Sequence, residues 1–409
     1  MAKRSPAHLG STAVACSVLA LGLCSAHNVM AQQANGYHDL GRLNGGNYAG
    51  ASGVSADGLV VIGYGIDGSV GYDDRAFRWT SDTGMVSLGV LNGGIYSYAF
   101  GVNANGSVIV GQAQDGSVGN VFRAYRWTQA TGMVSLGVWS GGTHSAASDV
   151  SADGAVIVGH SNGGIAGSDA HAFRWTQATG MVSLGTLNGG GYSEAYGVSA
   201  DGATIIGYSR DGNAGNGDRA FRWTSDTGMV SLGVLNGGPR SYAFAVNADG
   251  AVVVGQAQDG SVGNESRAFR WTQATGMVSL GTLDSGNYSN GQAVSADGSV
   301  VVGYSSGSNA MPRAFRWTDA TGMISVEDWL RNNGVTVTSN FTQIASDISA
   351  DGSVIVGTTE NATVFLARVA STGSGIIDMN EFAGSLAAKP TANVGLNFAG
   401  TVLNGAHGE

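Results

Sequence analysis

Asp67, Asp73, Asp211, Asn213 and Asp218 are the residues with the most evident chemistry. All five stand in short glycine-rich segments, residues 67–74 and 211–218, whose side-chain oxygens suit a hard cation such as Ca²⁺. Neither segment keeps the alternating carboxylates and distal glutamate of a calcium loop, so a solvated turn is the competing expectation. A second set recurs once per repeat, beside Asn-Gly-Gly or its variants: Tyr48, Tyr96, His144, Tyr192, Arg240 and Tyr288. Rings with polar tips at one repeated position can stack on sugars or grip a protein loop, and these six form the candidate ligand face. Gly63-Tyr64-Gly65-Ile66-Asp67-Gly68 fits a dinucleotide pattern, and the strings starting at Gly159 and Gly303 fit a nucleophile elbow. None of them opens a helix, which both chemistries need, so no catalytic or organic-cofactor residue is assigned.

The elements that must position these residues follow from a repeat. Trp79, Trp127, Trp175, Trp223 and Trp271 are spaced 48 residues apart and Trp317 follows 46 later, each inside an Ala-Phe/Tyr-Arg-Trp-Thr string. The block Val54-Ser55-Ala56-Asp57-Gly58 returns at Val102, Val150, Val198, Val246, Val294 and Ile348, which makes seven units between Tyr37 and Val369, with Phe365 and Leu366 standing in the seventh tryptophan strand. One unit offers four strand candidates, residues 85–88, 98–102, 107–110 and 123–127, joined by Asn-Gly or Asp-Gly and by Thr-Gly turns. Units of this length with four strands each predict an all-β fold, a seven-bladed β-propeller. The alternative, a β-helix or other solenoid, requires 48 to divide into two equivalent rungs, and the Asp-Gly hairpin has no counterpart half a period away. The expected core per blade is Leu88, Val102, Val108, Val110, Phe77 or Tyr125, and Trp79 or Trp127. Arg78 and Asp57, one of each per unit with only Asn105 breaking the acidic set, are expected to pair within the blade rather than to catalyse, since seven equivalents do not converge on one site. Residues 326–334 begin with acids, carry a late arginine and end in glycine, which predicts a short helix closing the last unit.

Lys3 and Arg4 precede an apolar run that leads to Val29-Met30-Ala31, which predicts a signal peptide over residues 1–31, too short for a transmembrane anchor. Cys16 and Cys24 both fall inside it, so the mature chain is expected to have no disulfide and no transmembrane span. The 68 glycines punctuate blocks of Val, Ile, Leu and aromatics, so they read as turns rather than disorder. A formal charge of −10, with lysine only at Lys3 and Lys389, argues against nucleic acid and anionic membrane as partners.

With His171-Ala172-Phe173-Arg174-Trp175, the Ser-Ala-Asp-Gly block and the Thr-Gly-Met-Val-Ser-Leu-Gly block in order, residues 37 to about 369 resemble the HAF-type extracellular repeat family. Residues 370–409 are a linker and a tail resembling the junction that precedes an outer-membrane barrel in autotransporters. The resemblance implies an autotransporter passenger at the cell surface or released from it, with a barrel that residues 1–409 do not contain. The expectation is therefore a propeller at 32–369 that is not an enzyme and serves as a binding, adhesion or structural module, with a glycan or a host or surface protein as partner. A glycan hydrolase or lyase on the same scaffold is the alternative. It requires unique residues such as His38, His144, His160, Glu194, Glu265 and Glu360 to gather at one face.

Overall fold

Each Val-Ser-Ala-Asp-Gly block folds the chain back on itself. The Gly58 N–H donates to the Ser55 carbonyl at 2.9 Å with Gly58 at φ 71°, Asp57 accepts from the Ser55 hydroxyl and the Leu59 N–H, and Ser55 Oγ accepts from Val60. The flanking segments become β2 (Ala49–Val54) and β3 (Val61–Asp67), followed by β4 (Asp73–Thr80) and β5 (Gly84–Ser87), an antiparallel four-stranded sheet. In a computed structural model that describes residues 35–370 apart from 72, 165–168, 216, 308–310 and 338–341, seven such sheets form, the blades of a β-propeller. The proposed signal at 1–31 and the tail from 371 onward lie outside the described residues.

The blade boundary falls one strand away from the boundary of the sequence unit. Met85-Val86-Ser87 is hydrogen-bonded to the Phe77–Trp79 strand before it, so blade 1 spans residues 49–87, and blades 2 to 6 follow at 97–137, 145–185, 193–231, 241–279 and 289–325. Blade 7 therefore lacks its outer strand, and β1 (Gly36–Gly41) supplies it by pairing antiparallel with Val364–Arg368. Tyr37 stacks on Phe365 with ring centroids 6.0 Å apart. The first strands of successive blades pack against one another all the way round, the seventh against β2, and line an axial shaft.

Two interactions join the blades. Seven hydrophobic clusters lie at the seven interfaces; Val60, Ile62 and Ala76 of blade 1, for example, pack with Leu91, Ile109, Tyr125 and Trp127 of blade 2. Below them the alanines of the hairpin turns form a closed ring of backbone bonds. Ala56 N–H donates to Ala104, Ala104 to Ala152, and so on through Ala200, Ala248, Ala296 and Ala350, which returns to Ala56, at 2.9–3.2 Å. Seven units held at the ~4.8 Å strand spacing enclose a radius of about 5.5 Å, a narrow end to the shaft once the backbone atoms are taken off.

The repeated arginines also act between blades, which corrects the expected pairing within a blade. Arg222 and Arg270 donate to the carbonyls of Gly250 and Gly298, and Arg368 to that of Gly58, each in the hairpin turn of the next blade. The turn reaches the guanidinium with its backbone, while a carboxylate such as Asp57 is already bonded inside the turn. The short helix is present as α1 (Val326–Asn332), capped by Ser325 Oγ, which accepts from Asp328 N–H, and its Val326, Trp329 and Leu330 fill the interface between blades 6 and 7.

Close backbone approach explains one repeated glycine. A Cβ on Gly111 would stand 1.9 Å from the Tyr98 carbonyl and 3.0 Å from Tyr125 Oη, beside a bulge in the inner strand. Gly111→Ala is expected to cost about 1–3 kcal/mol by overpacking. Urea unfolding read by tryptophan fluorescence checks it, and a change within error would mean that the bulge can relax.

At one inner-strand position the copies read Gly53, Gly101, Asp149, Gly197, Ala245, Ala293 and Asp347. Asp149 accepts from the N–H of Val150 and of Val198 in the next blade, and Asp347 from Ile348 and Val54. Burial pushes both carboxyls up to about 7 against these backbone bonds, and Asp149 adds repulsion at Asp347. A carboxyl raised in the folded state stabilises it fully below the unfolded value of about 3.9, and that stabilisation is lost as pH rises through the folded value. The melting temperature is thus expected to drop between about pH 4 and about pH 7, the unfolded and folded values, and to level off above that, and the Asp149→Asn/Asp347→Asn double variant to flatten that drop in calorimetry. A slope unchanged in the double variant would count against it.

Candidate functional site

The loops between blades and the loops after the second strand of each blade emerge at the face opposite the alanine ring, and Asp67 and its copies tie them together. Asp67 Oδ1 accepts from Ser69 N–H, Ser69 Oγ and Asn44 Nδ2; Asp115 does the same with Ser117 and Asn92, and Asp259 with Ser261 and Asn236. Asp211 accepts from Asn213 N–H and Asn188 Nδ2. Burial alone would raise Asp67, but its donors outweigh burial and hold the carboxyl below its ordinary value.

The residues considered for calcium therefore have separate roles. Asp67 and Asp211 clamp loops and Asn213 closes a turn. Asp73 pairs with Arg75 at 3.3 Å, and Asp218 accepts from Tyr242 Oη at 2.7 Å and lies 3.9 Å from Arg240. Among the described residues, no group of three or more His, Cys, Asp or Glu side chains is arranged to hold a metal ion.

The clamped loops carry the six ligand-face candidates to the mouth of the shaft. The Tyr48 ring lies 6.1 Å from Tyr64, over Gly50, where a Cβ would meet Tyr48 Oη at 2.8 Å. His144 stacks on His160 at 5.5 Å and meets Phe122 edge-on at 6.2 Å. Tyr192 lies 5.8 Å from Tyr208 with the Arg210 guanidinium over its ring, and Tyr288 is 5.7 Å from Tyr304. Arg240 is exposed beside Asp218, while Tyr96, partly buried, makes no ring contact among the described residues but faces Tyr98 closely enough to perturb it.

Other members of this site come from strands, where single-sequence reading had not singled them out. Tyr64, Tyr98, Phe122, Tyr208 and Tyr242 link the candidates across blades, with Tyr64–Tyr98 at 5.0 Å and Tyr208–Tyr242 at 5.1 Å. The signal that could have found them is again positional. Tyr64, Gln112, His160, Tyr208, Gln256 and Tyr304 occupy one position of the second strand and vary, while the residue before them is glycine in every copy and the residue after them is always small.

Carboxylates and amides are set among these rings. Glu194 accepts from Tyr192 Oη and, at 2.5 Å, from Tyr196 Oη; Asp74 accepts from Tyr98 Oη at 2.9 Å; Asn290 donates to Gln256 Oε1 at 2.9 Å. Burial and the adjoining carboxylates hold Tyr98, Tyr192 and Tyr196 far above the ordinary phenol range, so they remain donors to those carboxylates. Burial lowers both His144 and His160, with Glu194 acting in the opposite sense on each. His144, His160 and Glu194 thus meet at this mouth, and the buried Nδ1 of His160 has no hydrogen-bond partner among the described residues. His38 lies on β1, Glu265 pairs with Arg267 at 2.6 Å, and Glu360 is exposed in the hairpin of blade 7; none of the three contacts His144, His160 or Glu194 among the described residues.

No family model and no curated protein matches the chain. Solved structures similar to it are of low identity. The β-propeller domain of Myceliophteria thermophila Cps50 (Swd1) is 10% identical, with 82% of this chain and 100% of that chain covered and a TM-score of 0.49. TolB from Acinetobacter baumannii is 11% identical, with 77% and 65% covered and a TM-score of 0.43. The computationally designed Ika8 protein is 16% identical, with 81% and 99% covered and a TM-score of 0.44. This chain spans 65% of the TolB chain. At these identities the likeness concerns the fold alone.

Proposed function

We propose that the chain is an exported binding module, displayed at or released from a cell surface, that takes a saccharide at the aromatic mouth of its shaft. The observation that carries this reading is the convergence of residues that differ between copies. Tyr48, His144, Tyr192, Arg240 and Tyr288 occupy one repeated position, and they are set beside Glu194, Asp74 and Asn290 on a single face. Tyrosine faces cover the C–H side of a sugar ring, and carboxylates and amides bind its hydroxyls, the mixed lining expected of a small-molecule site. The signal-like residues 1–31 and the resemblance to HAF-type extracellular repeats support export.

A second reading, a glycan-acting hydrolase or lyase, is favoured by one observation: His144, His160 and Glu194 gather at the same mouth, which supplies groups able to move a proton. The two readings part on turnover. On a glycan array, the variant with Tyr48, Tyr96, Tyr192 and Tyr288 changed to alanine is expected to lose at least about tenfold in binding, at about 1 kcal/mol per stacked ring. An unchanged array profile would overturn the site. Release of reducing ends by the wild type, abolished by Glu194→Gln, would move the assignment to the enzyme.

A further inference from the structure

The face with the alanine ring carries a cavity of its own. A groove of about 820 Å³ runs across the join between blade 7 and blades 1 and 2, lined among others by His38, Asp57, Arg78, Trp79, Asn105 and Arg368. A related groove of about 480 Å³ between blades 4 and 5 shows the arginine in contact with the turn of the next blade. Its Arg222 is tied to the Gly250 carbonyl at 3.3 Å and to Thr204 Oγ1 at 3.0 Å, and it faces the turn that carries Asp249.

The larger groove departs from that pattern twice at one place. The Arg78 guanidinium makes no hydrogen bond or ion pair among the described residues, and the turn residue sharing its groove is Asn105, where all six other copies have aspartate. Arg126 and Arg174 also lack such a bond, but the turns that follow them keep Asp153 and Asp201. Burial lowers the Arg78 guanidinium with no carboxylate acting against it, whereas Asp351 and Asp57 oppose the same effect at Arg368. A half-buried cation from which the repeat's own counter-charge has been removed is set to receive an anion. Trp79, half-buried in the same groove, offers a flat face next to it. Three acids line the groove, and each accepts from its own turn: Asp57 from Ser55 Oγ and Leu59 N–H, Asp39 from Gly41 N–H, and Asp82 from Ser81 Oγ.

We propose that this groove is a second binding site, for an acidic saccharide, in which Arg78 and Asn105 hold the oxyanion and Trp79 stacks on the sugar ring. A uronate and a sulfated sugar share this chemistry. The site is separate from the mouth of the shaft and does not depend on the reading given for it.

Calorimetric titration with oligouronates, sulfated oligosaccharides and inorganic sulfate tests the assignment. At least one of the two saccharide classes is expected to bind the wild type, more weakly as salt rises. Arg78→Gln and Asn105→Asp are each expected to weaken that binding at least about tenfold, the scale of one charge-assisted contact. Asn105→Asp restores the residue of the other copies, and its unchanged melting temperature serves as the folding control. Arg126→Gln and the mouth variant Glu194→Gln are expected to leave groove binding as it is. Absence of binding by both saccharide classes, indifference to Arg78→Gln and Asn105→Asp, or inorganic sulfate binding as tightly as either saccharide would overturn the proposal.

Discussion

The closed circuit of backbone bonds through Ala56, Ala104, Ala152, Ala200, Ala248, Ala296 and Ala350 is the constraint on which the rest of the molecule depends. Each bond contributes only about 0.5–1.5 kcal/mol net. Its importance is geometric, because every turn is donor to one neighbour and acceptor from the other, so no blade can tilt without straining two contacts. The turn must therefore present its alanine backbone at a fixed angle, which explains why Gly58 is the same in all seven copies and why Ser55 and Asp57 are replaced only by asparagine, at Asn103, Asn247 and Asn105. The serine and aspartate bind the turn internally and the glycine takes the left-handed conformation.

The ring also divides the molecule into two ends with different chemistry. At the alanine end the turns are short and nearly identical, and at the other end the loops are longer and vary. Asp67 and its copies anchor those variable loops by the same hydrogen bonds in most blades, so side chains can change without moving the loop that carries them. The shaft thus has a rigid floor and an adaptable mouth, a common way for a repeat fold to acquire a site.

Much of this organisation was legible in the sequence because a 48-residue period repeats each local signal seven times. The blade count, the Asp-Gly hairpin, the buried Phe77 and its copies, and the helix at Val326 were all visible as departures from or agreements with that period. The phase was not legible. Met85-Val86-Ser87 lies between a Thr-Gly turn and a glycine-rich loop, and only hydrogen bonding reveals that it belongs to the strand before it. The partners of Arg222, Arg270 and Arg368 were also hidden, since a contact to the next blade's backbone leaves no second residue type to search for. The mouth was half legible: Tyr48 and its copies stood out beside their Asn-Gly-Gly markers and His160 as an unrepeated histidine, whereas Tyr208 and Tyr242 read as ordinary strand residues until the ring geometry brought them together.

The donation of β1 to blade 7 has a mechanical consequence. Gly36 lies opposite Arg368, and Asn35 Oδ1 accepts from Ala370 N–H at 2.6 Å, so the chain enters and leaves the disc at one spot on its rim. A load that draws both strands in the same direction leaves their pairing intact. A load that pulls them apart meets the rungs one after another, beginning at Gly36 and Arg368, and opens the circle like a zipper. The β1 rungs run from the alanine-ring end toward the loops, so the mouth points away from the place where such a load is applied. A propeller suspended there presents its variable loops outward and keeps its uniform turns toward the tether.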